Sequence, residues 1–157
     1  MSQTRLLILI GCGAAFASFL GAGDDLGPDQ QALLHDSGGW EYISIDDSQN
    51  GFPTQHTCFD GQPHPETCSG ILTLTPQNTF TQRVFIHHQR VERSGTYQLN
   101  GDQLAFFDEF GTQDGPYTIG IDAPNKLMMM DMPQVKVRLQ LYKEYRKQLD
   151  AARKKKK

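Results

Sequence analysis

The chain has 157 residues, a length from which we expect one folded domain with a leader and a tail, and no second domain. Its net charge of -3 divides unevenly: residues 18–142 hold 6 Lys/Arg against 16 Asp/Glu, whereas residues 143–157 hold 8 against 2. A domain this acidic repels a phosphate backbone, so we expect it not to bind nucleic acid. Turn residues at short intervals indicate an all-β chain.

The first 23 residues predict an export signal. One cationic side chain, Arg5, precedes the apolar residues 6–10 and a stretch of small and apolar residues that ends at Gly23, as in secretory signals. We therefore exclude residues 1–23 from the fold. The expected location is periplasmic, extracellular, or anchored by lipid to an outer membrane.

Three outcomes are open for this leader. Cleavage after Ala17 would release a soluble protein, since Ala15 and Ala17 are small where a signal peptidase needs small side chains. Residues 9–12, Leu-Ile-Gly-Cys, instead resemble a bacterial lipobox, in which Cys12 becomes the lipid-modified first residue. Without cleavage, residues 6–22 are an apolar run at the lower limit of what spans a bilayer.

Residues 24–37 predict a linker with one short helix at 28–35, because Pro28 and Asp29 favour a helix start and Gly38 and Gly39 stop it. The first strand follows at 40–45. Residues 46–70 hold Asn50-Gly51 and three prolines, and they predict a long loop. Long loops of this kind concentrate function or mobility.

Cys58 and Cys68 lie ten residues apart in this loop and are expected to form a disulfide, because export implies an oxidising compartment. Closing the loop contributes about 2 to 3 kcal/mol. His56 and His64 lie in the same segment, so a zinc or copper site with both cysteines is the competing interpretation. The spacing of the two cysteines matches no standard zinc finger.

From Ile71 onward apolar and polar residues alternate with period two. Turn residues divide this part into seven further strands at 71–75, 79–88, 90–99, 103–109, 117–122, 126–132 and 135–142. The connections are too short for parallel crossovers, and Asn100-Gly101 suits a tight type I′ hairpin. Eight consecutive antiparallel strands predict an all-β, eight-stranded up-and-down barrel at 38–142, with a short N-terminal helix and a C-terminal helix.

The alternation also predicts which side chains face the barrel interior. We expect this inward set to be Trp40, Leu72, Leu74, Phe80, Val84, Ile86, Tyr97, Leu104, Phe106, Tyr117, Ile119, Ile121, Leu127, Met129, Val137 and Leu139. Ten of its members are predicted to line a ligand site: Trp40, Leu72, Phe80, Val84, Ile86, Tyr97, Phe106, Tyr117, Ile119 and Met129. These large side chains either wall a cavity or fill it, and alternation does not distinguish the two.

Four apolar side chains, Ala105, Phe107, Met128 and Met130, then fall on the outer face and need cover. Residues 143–157 predict a basic helical tail that would supply it. Its apolar side chains recur every three or four residues, at Tyr142, Tyr145, Leu149 and Ala152. In the alternative, the last strand runs on and the tail frays.

The tail ends in four lysines that would attract anionic lipid head groups, alone or together with a lipid on Cys12. In the alternative, this end only keeps the chain soluble and binds nothing. The four residues are Lys154, Lys155, Lys156 and Lys157.

Three features together resemble the small bacterial lipocalin-like domains of calycin type. They are Gly38-Gly39-Trp40 at the start of the first strand, the segment Gly-Thr-Tyr-Gln-Leu-Asn-Gly-Asp-Gln-Leu at 95–104, and a closing strand at 135–141 before a helical tail. The resemblance covers about 105 residues. It implies a barrel whose floor is closed by Trp40, a packing role over that ring for Arg138, and a small apolar ligand.

The chain has none of the catalytic motifs Gly-x-Ser-x-Gly, phosphate loop, Cys-x-x-Cys or His-Glu-x-x-His. His87 and His88 are neighbours on a predicted strand, so they face opposite sides and do not chelate one ion together. The sequence therefore predicts an exported non-enzymatic lipocalin-like protein without a cofactor, which binds a small apolar ligand. The alternative is a cell-envelope structural or protein-interaction module with a filled barrel.

Overall fold

The structure, a computed structural model, describes residues 25–46, 55–62, 64–86 and 89–155. These residues form two helices and nine strands: α1 (Pro28–Leu34), β1 (Trp40–Asp46), β2 (Gln55–Thr57), β3 (Cys68–Leu74), β4 (Thr79–Ile86), β5 (Gln89–Asn100), β6 (Gln103–Phe107), β7 (Gln113–Asp122), β8 (Leu127–Asp131), β9 (Lys136–Leu141) and α2 (Tyr142–Lys155). The predicted leader with Cys12, the pair His87 and His88, and the last two lysines lie outside the described residues.

The strands form a closed antiparallel barrel, which confirms the predicted fold class. From β3 to β9 each strand pairs with the next one along the chain. The ring closes between β1 and β9, where Trp40 lies opposite Leu141 and Asp46 opposite Lys136. Closure gives every strand of the ring two neighbours, so the ring has no free edge.

The short strand β2 lies where the sequence predicts only a loop. It pairs with β1, with Thr57 opposite Ser44, and it shares that edge of β1 with β3, which pairs with the first two residues of β1. A disulfide joins Cys58, just after β2, to Cys68, the first residue of β3, with the Cα atoms 4.8 Å apart. The predicted disulfide is confirmed. Within the described ranges, no three His, Cys, Asp or Glu side chains are grouped to hold a metal ion.

The barrel interior is built from the predicted inward residues, and its centre is packed with rings. Six of the predicted ligand-lining residues are at most 4% exposed: Trp40, Leu72, Phe80, Tyr97, Phe106 and Ile119. Three others, Val84, Ile86 and Tyr117, are partly buried against this core. The ring centroids of Phe80 and Phe106 lie 4.7 Å apart, so the centre of the barrel is filled by its own side chains.

The inward prediction is wrong in β8. Met129 is 40% exposed, whereas Met128 and Met130 are fully buried, and Leu127 is only half-buried. Met128 lies opposite Leu139, and Met130 opposite Val137, and directly opposite residues share a face of the sheet. Because four consecutive residues of β8 are apolar, alternation does not determine its phase.

The helix α1 covers one end of the barrel, the α1 end. Trp40 Nε1 donates a hydrogen bond to the carbonyl oxygen of Leu34 at 3.2 Å, and Gln30 Nε2 donates to that of Ile121 at 2.7 Å. Trp40 therefore lies at the barrel floor, as expected. Arg138 is exposed on the outer face opposite Met129, so the expectation that it packs over Trp40 is wrong. We call the opposite end, where residues 108–112 and 132–135 connect strands, the loop end.

The C-terminal helix is confirmed, but it covers a different surface from the one expected. Leu149 is buried, and the Tyr145 ring contacts Phe59 edge-to-face with centroids 4.9 Å apart. α2 packs on β9 and β1, not on β6 and β8. The reason is the phase of β8, since Met128 and Met130 face the interior and need no cover. Among the described residues, neither helix is long and apolar enough to cross a bilayer.

Candidate functional site

A cluster of polar side chains lies inside the barrel toward its loop end. Arg93 Nη1 of β5 donates a hydrogen bond to Asp114 Oδ2 of β7 at 2.5 Å. The hydroxyl of Tyr117 donates to the other oxygen of the same carboxylate. The side chains of Arg93 and Asp114 are 34% and 32% exposed, so solvent reaches an ion pair on the inner face of the barrel.

The strand register explains why these charged side chains point inward. Arg93 lies opposite Gln82, and Gln82 lies opposite the buried Leu72. Asp114 lies opposite the buried Phe106. Because opposite residues of antiparallel strands project from the same face, all of these polar residues share the face that carries the core.

A bulge in β7 brings both Asp114 and Tyr117 to this face. They are three residues apart, a spacing that gives opposite faces on a regular strand. The β6–β7 register shifts between Leu104 and Phe106, which changes the phase. Gly115 lies at the shift with φ +106°, and a Cβ there would come within 2.9 Å of the Leu104 carbonyl oxygen. Glycine is therefore required at this position.

A second polar pair lies deeper in the barrel. Gln82 Nε2 donates a hydrogen bond to Tyr42 Oη at 2.6 Å, and Tyr42 is 2% exposed. Burial raises the pKa of Tyr42 to about 12, while the Arg93 charge acts in the opposite direction. Burial likewise raises the pKa of Tyr117 to about 12, and the neighbouring Asp114 carboxylate adds to the effect. Both hydroxyls therefore stay protonated at neutral pH and can donate hydrogen bonds.

Apolar side chains border this cluster. Val91 lies opposite Val84 on the same inner face and is 38% exposed. The Phe106 ring centroid lies 6.4 Å from that of Tyr117. The loop end of the interior thus presents one cation, one carboxylate and the Tyr117 hydroxyl beside apolar walls, with the Tyr42 hydroxyl buried deeper. Such a mixture of apolar surface with a few convergent polar groups is typical of small-molecule sites.

The predicted ligand-lining residues divide between two regions and one outlier. Trp40, Leu72, Phe80, Tyr97 and Ile119 lie in the filled part of the barrel. Phe106 and Tyr117 adjoin the polar cluster, through the pairing of Phe106 with Asp114 and the hydrogen bond from Tyr117, and Val84 and Ile86 are partly buried against the core. Met129 lies on the outer face, 40% exposed and opposite Arg138.

Sequence reasoning missed the polar members of the site, which are Tyr42, Gln82, Arg93 and Asp114. Alternation assigns polar strand residues to the outer face by default. A signal for Arg93 exists, because it lies an even number of residues before Tyr97, which is an inward residue on the same strand. No comparable signal identifies Asp114, since the bulge at Gly115 separates its phase from that of Tyr117.

The chain was compared with protein-family models, with curated proteins and with solved structures, and none of the three comparisons found a match. The barrel and the geometry of its polar cluster therefore carry the functional argument, and the lipocalin-like character stays a resemblance.

Proposed function

We propose that this protein is an exported, non-enzymatic, lipocalin-like binding protein. Its ligand would be a small, largely apolar molecule with one anionic group, held at the loop end of the barrel. The observation that carries the proposal is the ion pair of Arg93 and Asp114, one third exposed, on the inner face of an otherwise apolar barrel. Placing charges there carries a desolvation cost that apolar packing would avoid. Recognition of a charged ligand group is a reason to keep them.

The ligand's anionic group would replace Asp114 as the partner of Arg93 and would accept a hydrogen bond from Tyr117. Bidentate pairing with an anion is what a guanidinium is suited for. The apolar part of the ligand would lie along Val84 and Val91. It would stay near the loop end, because Phe80 and Phe106 already fill the barrel centre.

A ligand pair that differs only in its head group tests this proposal. We expect the full chain to bind dodecanoate about 10- to 100-fold more tightly than dodecanol, the range that a charge-assisted hydrogen bond supports. Arg93→Met should remove most of this preference. Arg83→Met is the matched control, because Arg83 lies on the neighbouring strand but is 71% exposed. Equal affinity for the two ligands, or a preference that Arg93→Met leaves unchanged, would contradict the proposal.

A second candidate function, a protein-interaction module on a filled barrel, is favoured by Phe110. This side chain is 85% exposed on the β6–β7 loop. The Asp108 carboxylate holds the loop by accepting hydrogen bonds from the amides of Phe110 and Thr112 at 2.9 and 2.8 Å. Aromatic residues, Phe included, are enriched at protein interfaces relative to the rest of the surface. Phe110→Ser should then abolish capture of the partner while leaving the dodecanoate preference intact.

A further inference from the structure

The helix α2 has one face packed on the barrel and one face that carries a row of lysines. Leu149 is buried and Tyr145 contacts Phe59, which defines the packed face. At 3.6 residues per turn, Lys143, Lys147 and Lys154 all fall on the opposite side of the helix. Lys143 and Lys147 are 63% and 72% exposed, and Lys154 is also exposed. We call these three residues the lysine ridge.

The ridge is straight and its ion pairs are weak, but the exposed Asp150 falls on the same side of the helix, so this face carries three cations and one carboxylate. With a rise of 1.5 Å per residue, it extends for about 16 Å along α2. Lys143 Nζ lies 3.1 Å from Asp36 Oδ2, and Lys147 Nζ lies 2.7 Å from Glu144 Oε1. Ion pairs at this level of exposure contribute little and exchange readily with other anions.

We propose that the lysine ridge holds α2 flat against an anionic lipid bilayer. The partner is identified by charge complementarity, because a row of ammonium groups at nearly equal height matches a plane of anionic head groups. This inference does not depend on the ligand site, since α2 lies outside the barrel on β1 and β9.

Two observations favour a bilayer over other polyanions. The helix's aromatic side chains, Tyr142 and Tyr145, are half-buried and stack on each other with centroids 6.5 Å apart, so the ridge offers no ring on which a nucleic-acid base could stack. The large apolar side chains that the described surface exposes, Val91, Phe110 and Met129, all lie outside α2. The ridge therefore lacks the apolar centre typical of a protein interface.

The acidic domain behind α2 does not cancel this attraction at physiological salt. Charges farther apart than about 8 Å are largely screened at that ionic strength. A helix with its side chains is about 10 Å thick. When α2 lies on the bilayer, most of the acidic barrel is therefore held beyond the screening distance.

Vesicle co-sedimentation of the full chain tests the proposal. We measure partition onto vesicles that contain about one third phosphatidylglycerol and partition onto pure phosphatidylcholine vesicles. The readout is the first value divided by the second, called the ratio below. The ratio removes any contribution of the apolar residues 1–23 that is common to both vesicles. The double variant Lys147→Gln and Lys154→Gln should lower the ratio about 30-fold, as expected for two lysines at a membrane surface.

The matched control is the double variant Arg83→Gln and Arg90→Gln, which removes two charges that are 71% and 68% exposed on the outer face of β4 and β5. It should leave the ratio within about twofold, because these charges lie away from α2 and are screened from the lipid. A wild-type ratio near one, or an equal loss in the control, would overturn the proposal. So would ridge-dependent binding to duplex DNA or polyglutamate that is tighter than binding to the anionic vesicles at the same salt.

Discussion

At the scale of single residues, Glu41 has an unusual environment. It lies on the outer face of β1, opposite Gln140 of β9 and Ile71 of β3, and neither neighbour carries a charge. Burial raises the pKa of the Glu41 carboxyl to about 7, although a hydrogen bond from the Gly70 amide acts in the opposite direction. Burial raises the pKa of Tyr145 on α2 and the Glu41 carboxyl adds to the effect, which places Glu41 near the helix.

This shift predicts a pH dependence of stability. Between about pH 4.5 and 7 the folded chain keeps a proton on Glu41 that the unfolded chain has already released. The Glu41 contribution to the free energy of unfolding should therefore fall as the pH rises through this window, by an amount on the order of 2 kcal/mol, while the lowered pKa of His35 acts in the opposite direction. Glu41→Gln should remove that contribution, as measured by urea unfolding across the window. Glu109→Gln, at an exposed residue, is the control and should keep the wild-type pH profile. A wild-type profile in Glu41→Gln as well would contradict the raised pKa of Glu41.

At the scale of elements, β8 provides a direct test of which methionines face the core. Met128→Ala should lower the free energy of unfolding by about 3 kcal/mol, because it opens a cavity where the wild-type side chain is fully buried. Met129→Ala, on the 40% exposed neighbour, should change it by no more than about 0.5 kcal/mol. The two variants share the same chemistry and differ only in face. If Met129→Ala were the more destabilising of the two, Met129 would face the interior, as the sequence analysis expects, and the β8 phase described above would be wrong.

The disulfide is the second element-scale feature. Reduction should lower the free energy of unfolding by about 2 to 3 kcal/mol, because the bond restricts the unfolded chain. It should also loosen β2, a strand of three residues, and with it the contact of Phe59 with Tyr145. The comparison is urea unfolding with and without reductant. The double variant Cys58→Ser and Cys68→Ser should have the same free energy of unfolding as the reduced protein, and adding reductant should not change it. Full wild-type stability in that variant would refute a stabilising role for the disulfide.

At the scale of the whole molecule, barrel closure and the packing of α2 predict one cooperative unit. Trp40, the sole tryptophan, is buried at the α1 end, so its fluorescence reports the barrel, whereas helical circular dichroism reports mainly α2. The two urea transitions should coincide. Leu149→Ala weakens the packing of α2 and, in a single cooperative unit, should move both transitions together to lower urea. Separate transitions in the wild-type protein would show that α2 folds independently.

Much of this architecture follows from local pattern. Period-two alternation and turn residues such as Asn100-Gly101 predict the strands, their antiparallel order and most of the interior, because a strand buried on one face must be apolar at every second position. Spacing of three and four predicts the packed face of α2 through Tyr145 and Leu149. Two cysteines in one loop predict the disulfide between Cys58 and Cys68.

The remaining features depended on contacts between distant parts of the chain. Only pairing with Val137 and Leu139 decided which of the consecutive methionines in β8 face inward, because an all-apolar strand has no phase of its own. Only the β6–β7 register shift brought Asp114 beside Arg93, and a bulge leaves no period in the sequence. The sequence by itself thus determined a barrel with an apolar interior. The tertiary structure decided where that interior is polar, since the partners of a buried charge come from strands far apart in the chain.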